Sequence, residues 1–565
     1  METEANGVHP GPDQPTQTDP EKDGPKACRT DRQEAAPDAE PPFEAVLALC
    51  DGGGRWQWRL LLLTSAIGAL SAFHNVGSIF LGATPDYWCR PAENSSLPEA
   101  VNASDAVQRF GSCSRPGNDT EEPCHAWQFD TSQYRSTIVT EWSLVCGRRW
   151  LLSTVQASFM LGKLLGYPVL GALSDRFGRR RVSLYGSAVQ LLVASSVALS
   201  RHYGVFLALR MLVGALTGIF STLFTLTVEA TGPKLRATAG ILFVIPYNLG
   251  LMALPGVAYL VRDWRYLQLA ISLPYALVLV YVWLLPESPR WLAERGRHAD
   301  ALAVLKRAAA ANGRTLPDDE HMLDLLRACH DGQQAEGAGF WAWLGAACPA
   351  HHLLGTPLMR RRMLASIWVF AITNAIYYGV QFDSAQLSRS PYLAVFLSGL
   401  VAIPVKVVGA PLINRLGRRP TTCGLLLLTA LAILAILAVP AALAWPKLLL
   451  AITGKMFISA VYSIVYLYVL EFTPTSLRNG GLGLVTMGRL GSVVAPYVVD
   501  LLAPVHWSLP SCVFGVAAIT GVLVVLLLPE TRGRRLPETI EDVETRRWEK
   551  PTDKMDVTEL RAVHE

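Results

Sequence analysis

One basic loop is written twice in this chain, and the repetition restricts the folds open to it. Gly171-Ala-Leu-Ser-Asp-Arg-Phe-Gly-Arg-Arg-Arg181 lies between long apolar runs, and a weaker copy, Ile413-Asn-Arg-Leu-Gly-Arg-Arg-Pro420, recurs in the second half. Asn414 follows Asp175 by 239 residues, Glu471 follows Glu229 by 242, Arg478 follows Arg236 by 242, and Pro529 follows Pro286 by 243. So long and so constant a step marks the duplication of a multi-helix unit, since solenoid repeats have far shorter periods.

The duplicated unit is apolar. Hydrophobic residues make up 51% of the chain and its charges crowd into loops and both ends, which argues against a soluble core of this size. About twelve apolar stretches approach the ~20 residues that a helix needs to cross hydrocarbon. In the first half they are residues 58–82, 150–172, 182–200, 203–229, 236–260 and 265–285; in the second, 363–383, 391–413, 420–440, 447–471, 479–503 and 507–529. Helices are required because in lipid each backbone N–H and C=O must find a partner within its own segment. The alternation of a membrane β-barrel is absent from the sequence.

Basic residues in the short loops predict the orientation. Arg176 to Arg181, Lys234 to Arg236, Arg415 to Arg419 and Arg478 fall on one side if the chain starts inside, and the arginine-rich segment 286–362 joins them. The positive-inside rule makes that side cytoplasmic, with both termini, in what is expected to be the plasma membrane. The opposite side receives a polar loop, 83–136, carrying three glycosylation sequons at Asn94, Asn102 and Asn118. Cys89, Cys113, Cys124 and Cys146 bracket the same loop, where oxidation permits one or two disulfides. Four cysteines allow three connectivities, and the sequence does not choose among them. Cys28, Cys329 and Cys348 are scattered without metal-ligand spacing and read as ordinary thiols.

The chain thus divides into a disordered cytoplasmic extension (1–41), a first six-helix bundle (42–285), a cytoplasmic helical linker (286–362), a second bundle (363–529) and a cytoplasmic tail (530–565). The extension is rich in Pro, Asp, Glu and Lys and lacks apolar periodicity. It has no cleavable signal, so the first crossing helix is its own insertion signal.

Several motifs in order resemble one family. Ser136-Thr-Ile-Val-Thr-Glu-Trp-Ser-Leu-Val-Cys146, the basic loop, Asp263-Trp-Arg-Tyr-Leu-Gln268, Pro286-Glu-Ser-Pro-Arg-Trp291, Glu471-Phe-Thr-Pro-Thr-Ser-Leu-Arg478 and Leu528-Pro-Glu-Thr531 together resemble the organic ion transporters, the solute carrier 22 family of the major facilitator superfamily. The resemblance runs from Phe43 to Glu544. It implies an all-α membrane protein of twelve transmembrane helices in two pseudo-symmetric six-helix bundles around a central cavity, with alternating access by rocking of one bundle against the other.

The resemblance also implies a latch on the inner side, shut in the outward-open state by ion pairs. Asp175, Arg179, Glu229, Arg236, Glu287 and Arg290 match it in the first half, and Arg418, Glu471, Arg478 and Glu530 in the second. An exposed pair contributes only ~0 to 1 kcal/mol, so several are needed to bias a two-state equilibrium. For any one arginine, setting the topology is an equally good explanation. Asn414 replaces Asp in the second copy, which weakens that half of the latch.

Specificity has to come from polar groups within the helices, where an ionisable side chain is expensive. Arg489 lies ~15 Å from the inner end of the eleventh helix and Lys406 ~12 Å up the eighth, at 1.5 Å per residue. Ile403-Pro-Val-Lys406-Val-Val-Gly and Met487-Gly-Arg489-Leu-Gly-Ser resemble the organic anion branch, in which both positions are basic; cation carriers commonly have an acid where Arg489 stands. Lys455 in the tenth helix matches an anion-branch lysine. Fixed cations lower the energy of a desolvated anion and raise that of a cation, so a small organic anion is the favoured substrate. By resemblance His74, Asn75, Tyr247, Phe370, Tyr377, Tyr378, Tyr462 and Tyr466 face the cavity, although aromatics at helical spacing also simply pack between helices. Tyr462 and Tyr466 share a helix face and stand where the anion branch usually has Phe, which favours a more polar ligand. Lys163 in the second helix lies outside the family pattern, and the sequence does not say which way it faces.

Enzymatic readings find little support. The sequence holds no phosphate-binding Gly-x-x-x-x-Gly-Lys-Ser/Thr loop, so ATP does not power the cycle directly, and no histidine or carboxylate cluster has metal or triad spacing. No cofactor, metal or nucleic acid is expected. The expected partners are the lipid bilayer, an organic anion and, if transport is exchange, a second anion or a proton; the oligomeric state stays open. A cation or zwitterion carrier, and a receptor or scaffold that does not translocate, are the alternatives, the last because fold does not guarantee activity.

Overall fold

The computed structural model describes residues 42–50, 53–90, 111–115, 122–328, 350–388, 390–440, 443–474, 477–532, 537 and 540–545. Among these, nine helices are long and apolar enough to cross a membrane. The first six spans begin with Arg55–Leu81, Cys146–Phe177, Arg179–Val197 and Tyr203–Glu229, and continue with Thr238–Leu260 and Trp264–Leu284. The second six are Pro357–Leu387, Pro391–Leu416, Arg418–Ala438, Ala444–Phe472, Gly480–Leu502 and Leu509–Val525. Beyond the nine, the third span carries Arg179, Arg180, Arg181 and Gln190, and the eighth and twelfth have shorter apolar stretches, Pro391–Val405 and Leu509–Val525. Their places among the others make all three spans.

The duplication is visible in the packing. The first span packs along the fifth and the second along the fourth; likewise the seventh packs along the eleventh and the eighth along the tenth. Two glycines 241 residues apart, Gly250 and Gly491, make the first member of each set of contacts tight. A Cβ on Gly250 would overlap the backbone at Ala69, and one on Gly491 the carbonyl of Ala371. The two lobes meet where the second span packs on the eleventh and the fifth on the eighth.

Each basic loop ends in a left-handed glycine, Gly178 at φ +99° and Gly417 at φ +97°, which lets a new helix start at once. Its free N–H groups are satisfied from a distance. Glu287 accepts from Arg180 N–H at 3.0 Å, and Glu530 accepts from Arg418 and Arg419 N–H at 2.9 Å each. A carboxylate there also meets the positive end of the helix dipole.

On the face that carries the basic loops, helices Pro289–Glu294, His298–Asn312 and Asp319–Ala328 form a layer. The sequence assigns residues 42–50 to the first bundle, yet Pro42–Leu49 is a short helix of this layer. Phe43, Val46, Leu47 and Cys50 are buried against Trp291, Leu302, Leu305 and Met322. Burial pushes the Cys50 thiol up to about 11, so it is an unreactive thiol. The Asn312 amide ties the layer to the first span, donating to Gln57 Oε1 at 3.0 Å and accepting from Trp56 N–H at 2.8 Å.

On the opposite face, two short antiparallel ribbons pair Tyr87–Cys89 with Trp127–Phe129 and Ser114–Arg115 with Glu122–Pro123. Cys89 bonds Cys124 and Cys113 bonds Cys146, one of the three connectivities the sequence allows. Two of the family motifs meet beneath them. The Glu141 carboxylate accepts from Trp264 Nε1 at 2.8 Å and pairs with Arg265, whose guanidinium lies 4.5 Å over the Trp264 ring. Asn94, Asn102 and Asn118, the extension 1–41, Cys329 and Cys348 lie outside the described residues, as do 546–565 of the tail.

Candidate functional site

Where the two lobes meet at mid-depth, cations and aromatic rings from five spans converge. The local sequence explains how Arg489 is aimed. Gly488 and Gly491 both turn toward the seventh span, where a Cβ at either would overlap the backbone around Ile367 and Ala371. Arg489 lies between them, in a 3-10 turn, Thr486–Arg489, that interrupts the eleventh span. Its guanidinium donates to Tyr466 Oη at 3.1 Å and lies 4.3 Å from the ring centre of Tyr167 in the second span. Its Nε has no hydrogen-bond partner, and the residue is only 8% exposed.

Lys455 is buried still more completely, at 1% exposure, and its ammonium has no hydrogen-bond partner. It lies 5.2 Å from the ring centre of Tyr377. Around these cations the rings are contiguous: Phe370 contacts Tyr462 and Tyr466 at 5.4 and 4.9 Å, and Tyr377 contacts Tyr378 and Tyr462 at 5.2 and 5.7 Å between centres. The rings meet tilted or edge-on, and edge-on contact is one that aromatic pairs prefer.

Asn75 organises the first lobe's side. Its amide nitrogen donates to Tyr247 Oη and, at 3.2 Å, to Tyr378 Oη. Its side-chain oxygen accepts from Lys163 Nζ at 3.3 Å, and Gln156 donates to its backbone carbonyl at 3.2 Å. Lys163 therefore faces the lobe interface, which the sequence left open.

The structure gathers Asn75, Tyr247, Phe370, Tyr377, Tyr378, Lys455, Tyr462, Tyr466 and Arg489 at one site. It does not bring His74 there. That ring lies inside the first lobe, fully buried, 5.7 Å from the Tyr275 ring of the sixth span. One helical residue turns by about 100°, and here that turn carries His74 to Tyr275 while Asn75 meets Tyr378. The backbone of Lys406 lies in the eighth span, but its side chain is outside the described residues. Sequence reasoning missed Tyr167, whose signal was its position four residues after Lys163, on the same helix face.

In this conformation the charges of the two basic loops pair within each lobe. Arg179 binds Glu229 in bidentate fashion at 3.1 and 2.8 Å and Asp175 at 2.9 Å, all within the first lobe. Arg418 binds Glu471 at 3.0 and 2.7 Å within the second. Glu287 and Glu530 are the helix caps described above. Arg290 pairs with Glu294 one turn on, at 3.0 Å, and Arg236 donates to the Thr231 carbonyl at 3.4 Å. The side chains of Asn414 and Arg478 lie outside the described residues.

Contacts between the lobes gather instead in the middle and on the disulfide-bearing side. Ser153 donates to Asp500 at 2.7 Å and Tyr497 to Thr154 at 3.0 Å, closing the second span on the eleventh. Tyr392 of the eighth span packs on Phe80, Tyr134 and Tyr259, with ring centres 5.2 to 6.5 Å apart. This side of the molecule is closed.

Residues 99–542 match the family profile described as Sugar (and other) transporter. An organic cation transporter protein of Drosophila melanogaster is 34% identical over 523 residues, covering 89% of this chain and 94% of its own length. Solute carrier family 22 member 6 of Mus musculus is also 34% identical, over 522 residues, with the same coverage. Among solved structures, the inward-open xylose transporter of E. coli superposes with a TM-score of 0.55 at 15% identity, over 86% of this chain and 99% of its own, a likeness of fold. The twelve spans in two repeated bundles, with relatives matched along nearly their whole length, lead to one conclusion: the chain belongs to the solute carrier 22 family of organic ion transporters, within the major facilitator superfamily.

Proposed function

We propose that the protein carries small organic anions across the plasma membrane by alternating access, as a uniporter or an anion exchanger, with both termini cytoplasmic and the disulfide-bonded loop outside, glycosylated at one or more of Asn94, Asn102 and Asn118. One observation carries the choice of charge. Arg489 and Lys455 are buried at mid-depth, and among the described residues neither is paired with a carboxylate. A buried cation without a counter-charge is costly, and an anionic ligand is what removes the cost. The surrounding rings supply apolar contact for its carbon skeleton, and their hydroxyls supply donors. Lys406 enters the eighth span at similar depth and belongs to the same proposed site.

A cation carrier of this fold would set carboxylates among such rings. Here the rings already carry the protein's own cations, which repel a second one. The same charges favour an anion over a zwitterion, whose ammonium would also be repelled.

Uptake of labelled anions and cations into cells or proteoliposomes tests the reading. Saturable anion uptake that Arg489→Asp abolishes while surface expression persists supports it. Saturable cation uptake without anion uptake would reverse the assignment of charge. Ligand binding without flux of any solute would make the protein a receptor.

A further inference from the structure

The cations of the two lobes are exchanged across their interface. Arg489 belongs to the second lobe and lies over Tyr167 of the first; Lys163 belongs to the first and lies 5.7 Å from the ring centre of Tyr378 of the second. Lys163 also donates to Tyr378 Oη at 3.4 Å. Both cations approach the same Tyr167 ring, at 5.9 Å for the ammonium and 4.3 Å for the guanidinium. They are near enough to repel one another, and the acceptors facing Lys163 are a neutral amide and a neutral phenol. Two buried carboxylates lie further along their helices. Asp500 lies eleven residues beyond Arg489, ~16 Å along the helix, and is engaged by Ser153; Asp383 lies five residues beyond Tyr378, ~8 Å along the seventh span, and is engaged by Ser511 at 3.5 Å.

Two like charges, one on each lobe, oppose closure unless something negative lies between them. A ligand with one negative group relieves one of them. A ligand with two relieves both and bridges the lobes, so it binds the closed state better than the state in which the lobes have parted, and only such a difference in affinity moves the equilibrium.

We infer that Lys163 is a substrate-binding residue and that, with Arg489, it selects anions carrying two negative groups over those carrying one. This deepens the anion assignment and rests on it. The ligand class is a compact dianion on an aromatic or aliphatic frame, with one acidic group toward each lobe. The long contacts of Lys163 to Asn75 and Tyr378 hold the ammonium in position and are exchanged for a charge-assisted bond when the ligand arrives.

Benzoate and isophthalate share a ring and differ by one carboxylate, so their binding to the purified full-length chain in nanodiscs, measured by calorimetry, isolates the second charge. The wild type is expected to bind isophthalate roughly tenfold or more tightly than benzoate, the worth of one charge-assisted hydrogen bond. Lys163→Met and Lys163→Gln should each bring that ratio close to one, and Lys163→Arg should restore it. Equal affinities in the wild type, or a preference that survives both neutral variants, would overturn the role of Lys163 while leaving the anion assignment standing. Binding of neither probe would remove the anion assignment, and the inference with it.

Discussion

Arg489 lies over the face of Tyr167, guanidinium carbon to ring centre 4.3 Å, although the two residues belong to different lobes. Any rocking of the lobes has to separate them. The contact is therefore specific to one conformation, and the arginine becomes more available to a ligand or to water as the lobes part.

Arg489→Lys keeps the charge but loses the planar group that lies on Tyr167 while bonding Tyr466. Because the two cations are not interchangeable at a stacked site, uptake should persist with KM raised about tenfold, the worth of one hydrogen bond to a charged group. Arg489→Asp should abolish it. Initial-rate uptake corrected for surface expression measures both, and a lysine variant as dead as the aspartate would show that shape rather than charge is decisive.

Gly491→Ala places a methyl group onto the Ala371 carbonyl, and neither backbone can yield without moving a span. Overpacking of this kind costs about 1–3 kcal/mol. The variant should melt at a lower temperature in detergent and reach the surface poorly. Gly483→Ala, in the same span with open space around the glycine, is the control that should change neither.

The Arg179 and Glu229 side chains, 7% and 14% exposed, are a half-sealed pair inside one lobe. Removing Arg179 strands the Glu229 carboxylate, which costs about 3–5 kcal/mol for a buried pair, whereas removing Glu229 leaves Arg179 its contact with Asp175. Arg179→Met should therefore lower thermal stability more than the Arg179→Met/Glu229→Leu double variant does, and Glu229→Leu should cost less than Arg179→Met. The coupling read from that cycle distinguishes a pair internal to the lobe from a latch between lobes, which would alter conformational preference and leave stability alone.

Ser153 and Asp500 touch at the closed side of the interface, 2.7 Å between oxygens. Cysteines at both positions should be bridged by Cd2+, arresting uptake until the metal is chelated, while either single cysteine should be insensitive. Insensitivity of the double variant would mean that these ends of the second and eleventh spans do not meet during the cycle.

The sequence by itself determined the membrane, the spans and the two-fold repetition. All three rest on composition and spacing along the chain, which lipid translates directly into helices. It also determined that Arg489 lies at mid-depth, because depth is a count of residues from a helix end. The structure decided what each of those residues faces. His74 turned inward to Tyr275 while its neighbour Asn75 turned to the interface. Glu287 and Glu530, whose charges suggested ion pairs, instead cap helices begun by left-handed glycines. The cysteine pairing, the packing of Pro42–Leu49 beneath the bundles, and the crossing of Lys163 and Arg489 onto each other's lobes were likewise settled by residues far apart in sequence. A helix face is set by rotation about an axis and a partner by the docking of two axes. Neither leaves a trace in local spacing, so the chemistry of this interface exists only once the twelve helices have packed.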